Sequence, residues 1–162
     1  IWNLAKNLGG SLSEYAVWLL ERSMKTLALR VWAQNDNAKR IAEWLTENPL
    51  VSQVFYPGLT SHPNHQLAKK QMNGFTGMLS FELEKSVNSK KFLNSLQLIK
   101  PSMSLAGVES TILAPSKASH ALLGEKERKK QGISEGLLRF SVGIEDFDDL
   151  ILDLKQAFTN SH

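Results

Sequence analysis

The sequence contains no cysteine. That single absence excludes a disulfide scaffold, thiolate zinc sites and a cysteine nucleophile, and it suits a reducing, cytoplasmic setting. No apolar run approaches the ~18 residues that a membrane-spanning helix needs, so no membrane partner is expected. Charge of one sign is also scarce: 19 Lys+Arg against 16 Asp+Glu leave a net of only +3. A sequence pI near 9.2 therefore gives little support to a nucleic-acid partner. The interleaved aromatics on a strand that would stack on RNA bases are missing too. There is no glycine-rich phosphate loop, since Gly9-Gly10 lacks the required spacing. Methionine is absent from position 1, where Ile stands, and no targeting pattern opens the chain. The sequence therefore reads as a stretch of something larger.

What is present is ordinary globular composition: 162 residues, 42% hydrophobic and 22% charged. A chain of this length is expected to bury roughly 70% of the surface its unfolded form exposes, so it needs no staples. Ser11 with Glu14 forms a capping-box pattern that opens a long helix. Val17, Leu20, Met24, Leu27 and Val31 follow at helical spacing, then Ala38, Ile41 and Leu45. The polar interval Gln34-Asn35-Asp36-Asn37 reads as a kink or a solvated turn. Asn48-Pro49 ends the helix, whose length suggests a spine joining two domains.

Shorter elements alternate after that stop. Val51 to Tyr56 reads as a strand closed by Pro57-Gly58, and a helix is expected from Pro63 through Met72. Leu79, Phe81 and Leu83 alternate with Ser80 and Glu82, which predicts a strand with one buried face. Residues 88 to 96 suit a helix, and strand-like segments fall near Ile99, Leu105 and Thr111-Ile112-Leu113. Glu125 to Lys130 suits a solvated helix, and Leu137 to Val142 a strand. Phe147, Leu150, Ile151, Leu154 and Phe158 mark a final amphipathic helix. The class is α+β, a small sheet with helices against one face.

Arg139 stands out among polar residues. The period of two places Leu138, Phe140 and Val142 on one side of the strand and Leu137, Arg139 and Ser141 on the other. A guanidinium in mid-strand needs a reason. A structural ion pair, an exposed sheet face or a bidentate clamp on an anionic ligand would each account for it. The stretch from Pro101 to Ser110, with small hydroxyl residues, Gly107 and Glu109, suits close backbone approach to a ligand, or an ordinary loop. Of the four histidines, His62 and His65 straddle Pro63 with no third ligand in view, so zinc is not expected. His120 and His162 suggest no catalytic arrangement either. Lys117 and the Lys126 to Lys130 run read as solvated charge.

Several stretches together resemble a known family. They are Trp18-Leu19-Leu20, Met24-Lys25-Thr26-Leu27, Val54-Phe55-Tyr56-Pro57-Gly58-Leu59, Gly74 to Phe81, Ser104-Leu105-Ala106-Gly107-Val108-Glu109-Ser110, Ser119-His120, Gly132-Ile133-Ser134 and Leu138 to Glu145. In this order they resemble the second half of the Cys/Met-metabolism pyridoxal-phosphate enzymes, a family that includes cystathionine γ-synthases, β-lyases and γ-lyases. The resemblance implies a fold-type I enzyme. Residues 1–48 would be the end of the cofactor domain with a linking helix. Residues 49–162 would be the C-terminal small domain with a mostly antiparallel sheet.

It further implies that Arg139 grips the substrate α-carboxylate and that Ser104 lies near it. The Schiff-base lysine would lie upstream of Ile1, because no lysine here has the Ser-x-Thr-Lys context. The chain alone would then bind no pyridoxal 5'-phosphate and be inactive, and its partners would be the missing N-terminal cofactor domain, a sulfur amino acid and further copies in a homotetramer. A non-catalytic oligomerisation domain is the competing expectation. Ala106, Thr76 and Ser23 replace residues that are usually glycine in the family. Met103 stands where γ-acting members often carry glutamate, which favours β-elimination.

Overall fold

The computed structural model describes residues 3, 4, 7 and 12–161. The expected single N-terminal helix is two: α1, Glu14–Met24, and α2, Leu27–Thr46. Ser11 lies outside the described residues. The side chain that caps α1 is Ser13, whose oxygen accepts the Ala16 N–H at 3.3 Å. The break falls at Lys25–Thr26, where Thr26 leaves helical geometry (φ −107°, ψ 4°). Arg30 bridges it by donating from Nη2 to the Ser23 carbonyl at 2.7 Å, a terminal carbonyl that needs a partner outside the helix.

The polar interval in α2 is continuous helix, with Asp36 exposed and its other members turned inward. Gln34 and Asn37 lie within continuous helix and are buried, because their amides donate to backbone carbonyls of the sheet end. Burial of such groups costs little once they are hydrogen-bonded.

Five strands form one sheet: β1 (Val51–Phe55), β2 (Met78–Leu83), β3 (Lys100–Pro101), β4 (Thr111–Leu113) and β5 (Leu137–Ser141). Their order is β1-β2-β5-β4-β3. All neighbours are antiparallel except β3 and β4, which are parallel. β2 follows its sequence pattern, with Leu79, Phe81 and Leu83 buried and Ser80 and Glu82 on the opposite face. The remaining helices are α3 (His65–Gln71), α4 (Ser89–Ser95), α5 (Glu125–Lys130) and α6 (Phe147–Thr159).

The core lies between the apolar sheet face and α2, α4 and α6. Ile41 and Leu45, Phe92, and Leu150, Leu154 and Phe158 pack with Leu79, Phe81, Leu138 and Phe140 in one buried cluster. Phe92 joins the layers: its ring lies 4.7 Å from that of Phe158 and 6.3 Å, edge-on, from that of Phe81. By contrast, Val17, Trp18, Leu20 and Met24 of α1, and Leu27 and Val31 of α2, are exposed.

Leu105 is not in a strand. The segment from Ser102 to Ser110 is a loop, and its groups bond to side chains in place of a ladder. The Ala106 N–H donates to Ser141 Oγ at 2.9 Å, and Thr111 Oγ1 donates to the Ser104 carbonyl at 2.9 Å.

Entry to β3 is fixed from below by Asp153 of α6, a buried carboxylate. It accepts backbone N–H bonds from Gln97 at 2.8 Å, Leu98 at 3.0 Å and Ile99 at 2.8 Å.

Candidate functional site

Strand β5 positions Arg139 between Leu113 of β4 and Ser80 of β2. Alternation turns its side chain away from the buried Leu138 and Phe140, towards the face crossed by the 102–110 loop. There Arg139 Nη2 donates to the carbonyls of Met103 at 3.3 Å and Ser104 at 3.2 Å. The two residues singled out in the sequence, 35 positions apart, therefore meet.

The ion-pair alternative for Arg139 is not realised, since among the described residues no carboxylate oxygen lies within 4.0 Å of its guanidinium. Its Nε is buried without a hydrogen-bond partner, as are Asn35 Oδ1 and Ser116 Oγ among the described residues. Of these three, only Arg139 carries positive charge. A buried unpaired donor on a permanent cation costs free energy unless an anion completes it. Carboxylate and phosphate are the anions whose geometry fits a guanidinium fork.

The loop is held at several points. Ser110, fully buried, donates its N–H to Glu145 Oε1 at 2.5 Å and its hydroxyl to Oε2 at 2.9 Å. Its Oγ also accepts the Gly143 N–H at 2.8 Å. Gln34 Nε2 of α2 donates to the Gly107 carbonyl at 2.6 Å, and Asn37 Nδ2 donates to the Glu145 carbonyl at 2.8 Å. Gly143 has no room for a side chain, since a Cβ there would overlap the Val108 carbonyl oxygen and sit 2.7 Å from the Glu109 carbonyl carbon.

Ala106 adopts φ 60° and Thr76 φ 76°, the left-handed region that costs a residue with a Cβ. Two of the three positions noted as departures from family glycines thus have positive φ. Sequence reasoning missed Gln34, Asn37 and Glu145. The signal for the first pair was a polar interval on the apolar face of α2; Glu145 carried none.

The other titratable groups are spent elsewhere. His65 Nδ1 lies 2.8 Å from the Pro57 carbonyl and its ring stacks on Phe75. His62 Nδ1 accepts the Asn64 N–H at 3.2 Å, and His120 bonds Ser119. His162 lies outside the described residues. No group of three metal-ligating side chains occurs among the described residues. Lys117 pairs with Glu135. Its hydrogen bond holds the Glu135 carboxyl below the usual range; burial opposes it, and the charge of Lys117 and the Arg128 hydrogen bond add to the lowering.

Among the described residues, the site brings one guanidinium against two backbone carbonyls. Lys117, beside the cavity at Met103, is committed to Glu135, and no lysine of the sequence has the Ser-x-Thr-Lys setting.

A mostly antiparallel sheet thus presents an arginine to the backbone of a pinned loop. The family model described as "Cys/Met metabolism PLP-dependent enzyme" matches residues 1–159, and the chain belongs to that family. It is 46% identical over 154 residues to cystathionine beta-lyase of Lactococcus lactis subsp. cremoris, covering 95% of this chain and 40% of that protein. Cystathionine gamma-synthase 1, chloroplastic, of Arabidopsis thaliana is 48% identical over 158 residues, 97% of this chain and 28% of its own length.

A crystal structure of cystathionine gamma-lyase from Lactobacillus plantarum complexed with L-serine superimposes with a TM-score of 0.90 at 40% identity. It covers 98% of this chain and 42% of that one. The chain thus spans well under half the length of the relatives it matches. No described helix is long and apolar enough to cross a membrane.

Proposed function

We propose that this chain is the C-terminal part of a pyridoxal-phosphate enzyme acting on sulfur amino acids, of cystathionine β-lyase or γ-synthase type. Its task there is to hold the substrate α-carboxylate. The observation that carries this reading is the Arg139 guanidinium, docked on the carbonyls of Met103 and Ser104 with its buried Nε left unpaired. A carboxylate reaching the guanidinium would be held by the N–H groups that the two carbonyls leave open. Ser104 would border the same anion from the loop.

Gripping the carboxylate fixes rotation about Cα, so that the bond to be broken takes one orientation; this is catalysis by positioning. The cofactor, when bound in the complete enzyme, supplies the electron sink for the carbanion. The proposed division makes residues 1–48 the end of the cofactor domain with its linking helices, and 49–162 the small domain. The exposed apolar row of Val17, Trp18, Leu20 and Met24 supports a partner domain against α1, since a surface this apolar favours an interface. Homo-oligomeric assembly, a cytoplasmic location and inactivity of the chain by itself belong to the same proposal.

Identities of 46%, 48% and 44% to a β-lyase, a γ-synthase and a γ-lyase do not choose among the reactions. Met103, at a position where an acid would assist chemistry at the γ carbon, supports β-elimination. The test is product analysis of the complete enzyme given cystathionine. Pyruvate is the expected keto acid, and 2-oxobutyrate would reassign the reaction to the γ-lyase side. Absence of turnover of any sulfur amino acid would overturn the proposal.

A further inference from the structure

We infer that Glu145 is a positioning residue of the carboxylate grip, acting through Ser110 and the 102–110 loop; the inference rests on the reading of Arg139 given above. Arg139 has no side-chain partner to steer it among the described residues. Its guanidinium is steered by two backbone carbonyls, those of Met103 and Ser104. The orientation of the fork is therefore only as well defined as the path of the loop.

Gln34 and Ser141 hold the middle of that path, and at its far end it is attached to one carboxylate. Both Glu145 oxygens are occupied by a single residue, Ser110, through its N–H at 2.5 Å and its hydroxyl at 2.9 Å. A two-point attachment fixes rotation as well as position. The Ser110 hydroxyl has no slack, because its Oγ also accepts the Gly143 N–H at 2.8 Å. Nor is the Ser110 carbonyl free, since it accepts the Lys100 N–H at 3.0 Å.

A further contact ties the loop to the connection after β5: the Ile144 N–H donates to the Val108 carbonyl at 2.9 Å. Glu145 is itself located by α2, whose Asn37 donates to its backbone carbonyl at 2.8 Å. The chain of fixed groups runs from α2 through Glu145 and Ser110 to the adjacent Thr111, whose Oγ1 donates to the Ser104 carbonyl at 2.9 Å, and so to Arg139.

The chemistry at position 145 must be acceptor-only. An amide would meet the two Ser110 donors with one acceptor and one donor. The hydroxyl, already accepting from Gly143, would then lose the acceptor for its own proton. Substitution should loosen the loop and blur the fork while leaving Arg139 chemically intact.

The test compares binding of serine with that of ethanolamine, its analogue lacking the carboxylate, in the complete cofactor-loaded enzyme. Glu145→Gln is expected to raise the Kd for serine about tenfold, the effect of losing part of one charge-assisted hydrogen bond, with ethanolamine unmoved. A purely structural role would weaken both ligands alike, and that result overturns the inference. So does an unchanged serine Kd in Glu145→Gln when Arg139→Lys raises it, which leaves the grip itself standing. If Arg139→Lys leaves the serine Kd unchanged, the grip and the inference fall together. Should Glu145→Gln not fold, Ser110→Ala carries the same comparison, with the same selective loss for serine expected and the same results overturning it.

Discussion

Replacing Asp153 by asparagine tests the packing that leads into the site. Asp153 is 6% exposed, and its two oxygens receive four donors. Oδ1 accepts from the Gln97 N–H at 2.8 Å and Gln156 Nε2 at 3.0 Å, and Oδ2 from the Leu98 and Ile99 N–H groups at 3.0 and 2.8 Å. Asparagine keeps one acceptor oxygen and turns an NH2 towards the other two donors. The Gln156 amide cannot flip to answer it without losing its donation to the Ser95 carbonyl at 2.6 Å and its acceptance from Asn160 Nδ2 at 3.1 Å, so two donors lose their acceptor. Losing hydrogen bonds to a charged acceptor costs about 1.5–3 kcal/mol each.

With two such bonds lost, Asp153→Asn is expected to destabilise the chain by about 3 kcal/mol, the low end of that range for two bonds. For a chain of this size that is a fall in Tm of roughly 6–12 °C. Urea unfolding followed by circular dichroism measures it, with the m-value unchanged. Lys155→Gln, on the exposed side of the same helix, is the control and should change stability by less than about 0.5 kcal/mol. A loss below about 1 kcal/mol for Asp153→Asn would refute the claim that this carboxylate anchors the turn.

Two further outcomes follow from local geometry. Ala106→Gly relieves a left-handed backbone at φ 60° and is expected to stabilise the chain by about 0.5–1 kcal/mol, after the entropy that glycine adds to the unfolded state. Thr76→Gly gains no such benefit in the same unfolding assay, because Thr76 Oγ1 accepts the Met78 N–H at 2.8 Å and that bond is lost. The Tyr56 phenol, buried and facing Glu43, is pushed up from 10.0 to about 12, mainly by burial. Because the folded state holds this proton more tightly, its contribution is complete below pH 10. It is lost as pH rises to 12, by up to about 2.7 kcal/mol. Stability measured from pH 9 to 12 should decline, and Tyr56→Phe should flatten the decline.

Strand β2 was legible because burial on one face of a sheet imposes a period of two, and Leu79, Phe81 and Leu83 obey it. The final helix was legible for the matching reason at helical spacing. The break at Lys25–Thr26 was not, since it depends on Arg30 reaching back seven residues to the Ser23 carbonyl, a contact no periodicity encodes. Gln34 and Asn37 looked like solvated residues because their polarity is answered by carbonyls 73 and 106 residues away. Arg139 was visible as a cation without a reason, but its bond to the Ser104 backbone carbonyl was not, since no local pattern encodes a contact across 35 residues. The Glu145–Ser110 pair, 35 residues apart, was invisible, because neither residue is unusual in its own segment.

The grip of Arg139 on a substrate carboxylate is tested most directly by the steady-state kinetics of Arg139→Lys in the complete enzyme. Lysine keeps the charge and loses the fork. A fall in kcat/KM for cystathionine of about 100-fold, or ~2.7 kcal/mol, is the result predicted. Wild-type kcat/KM in this variant would contradict it.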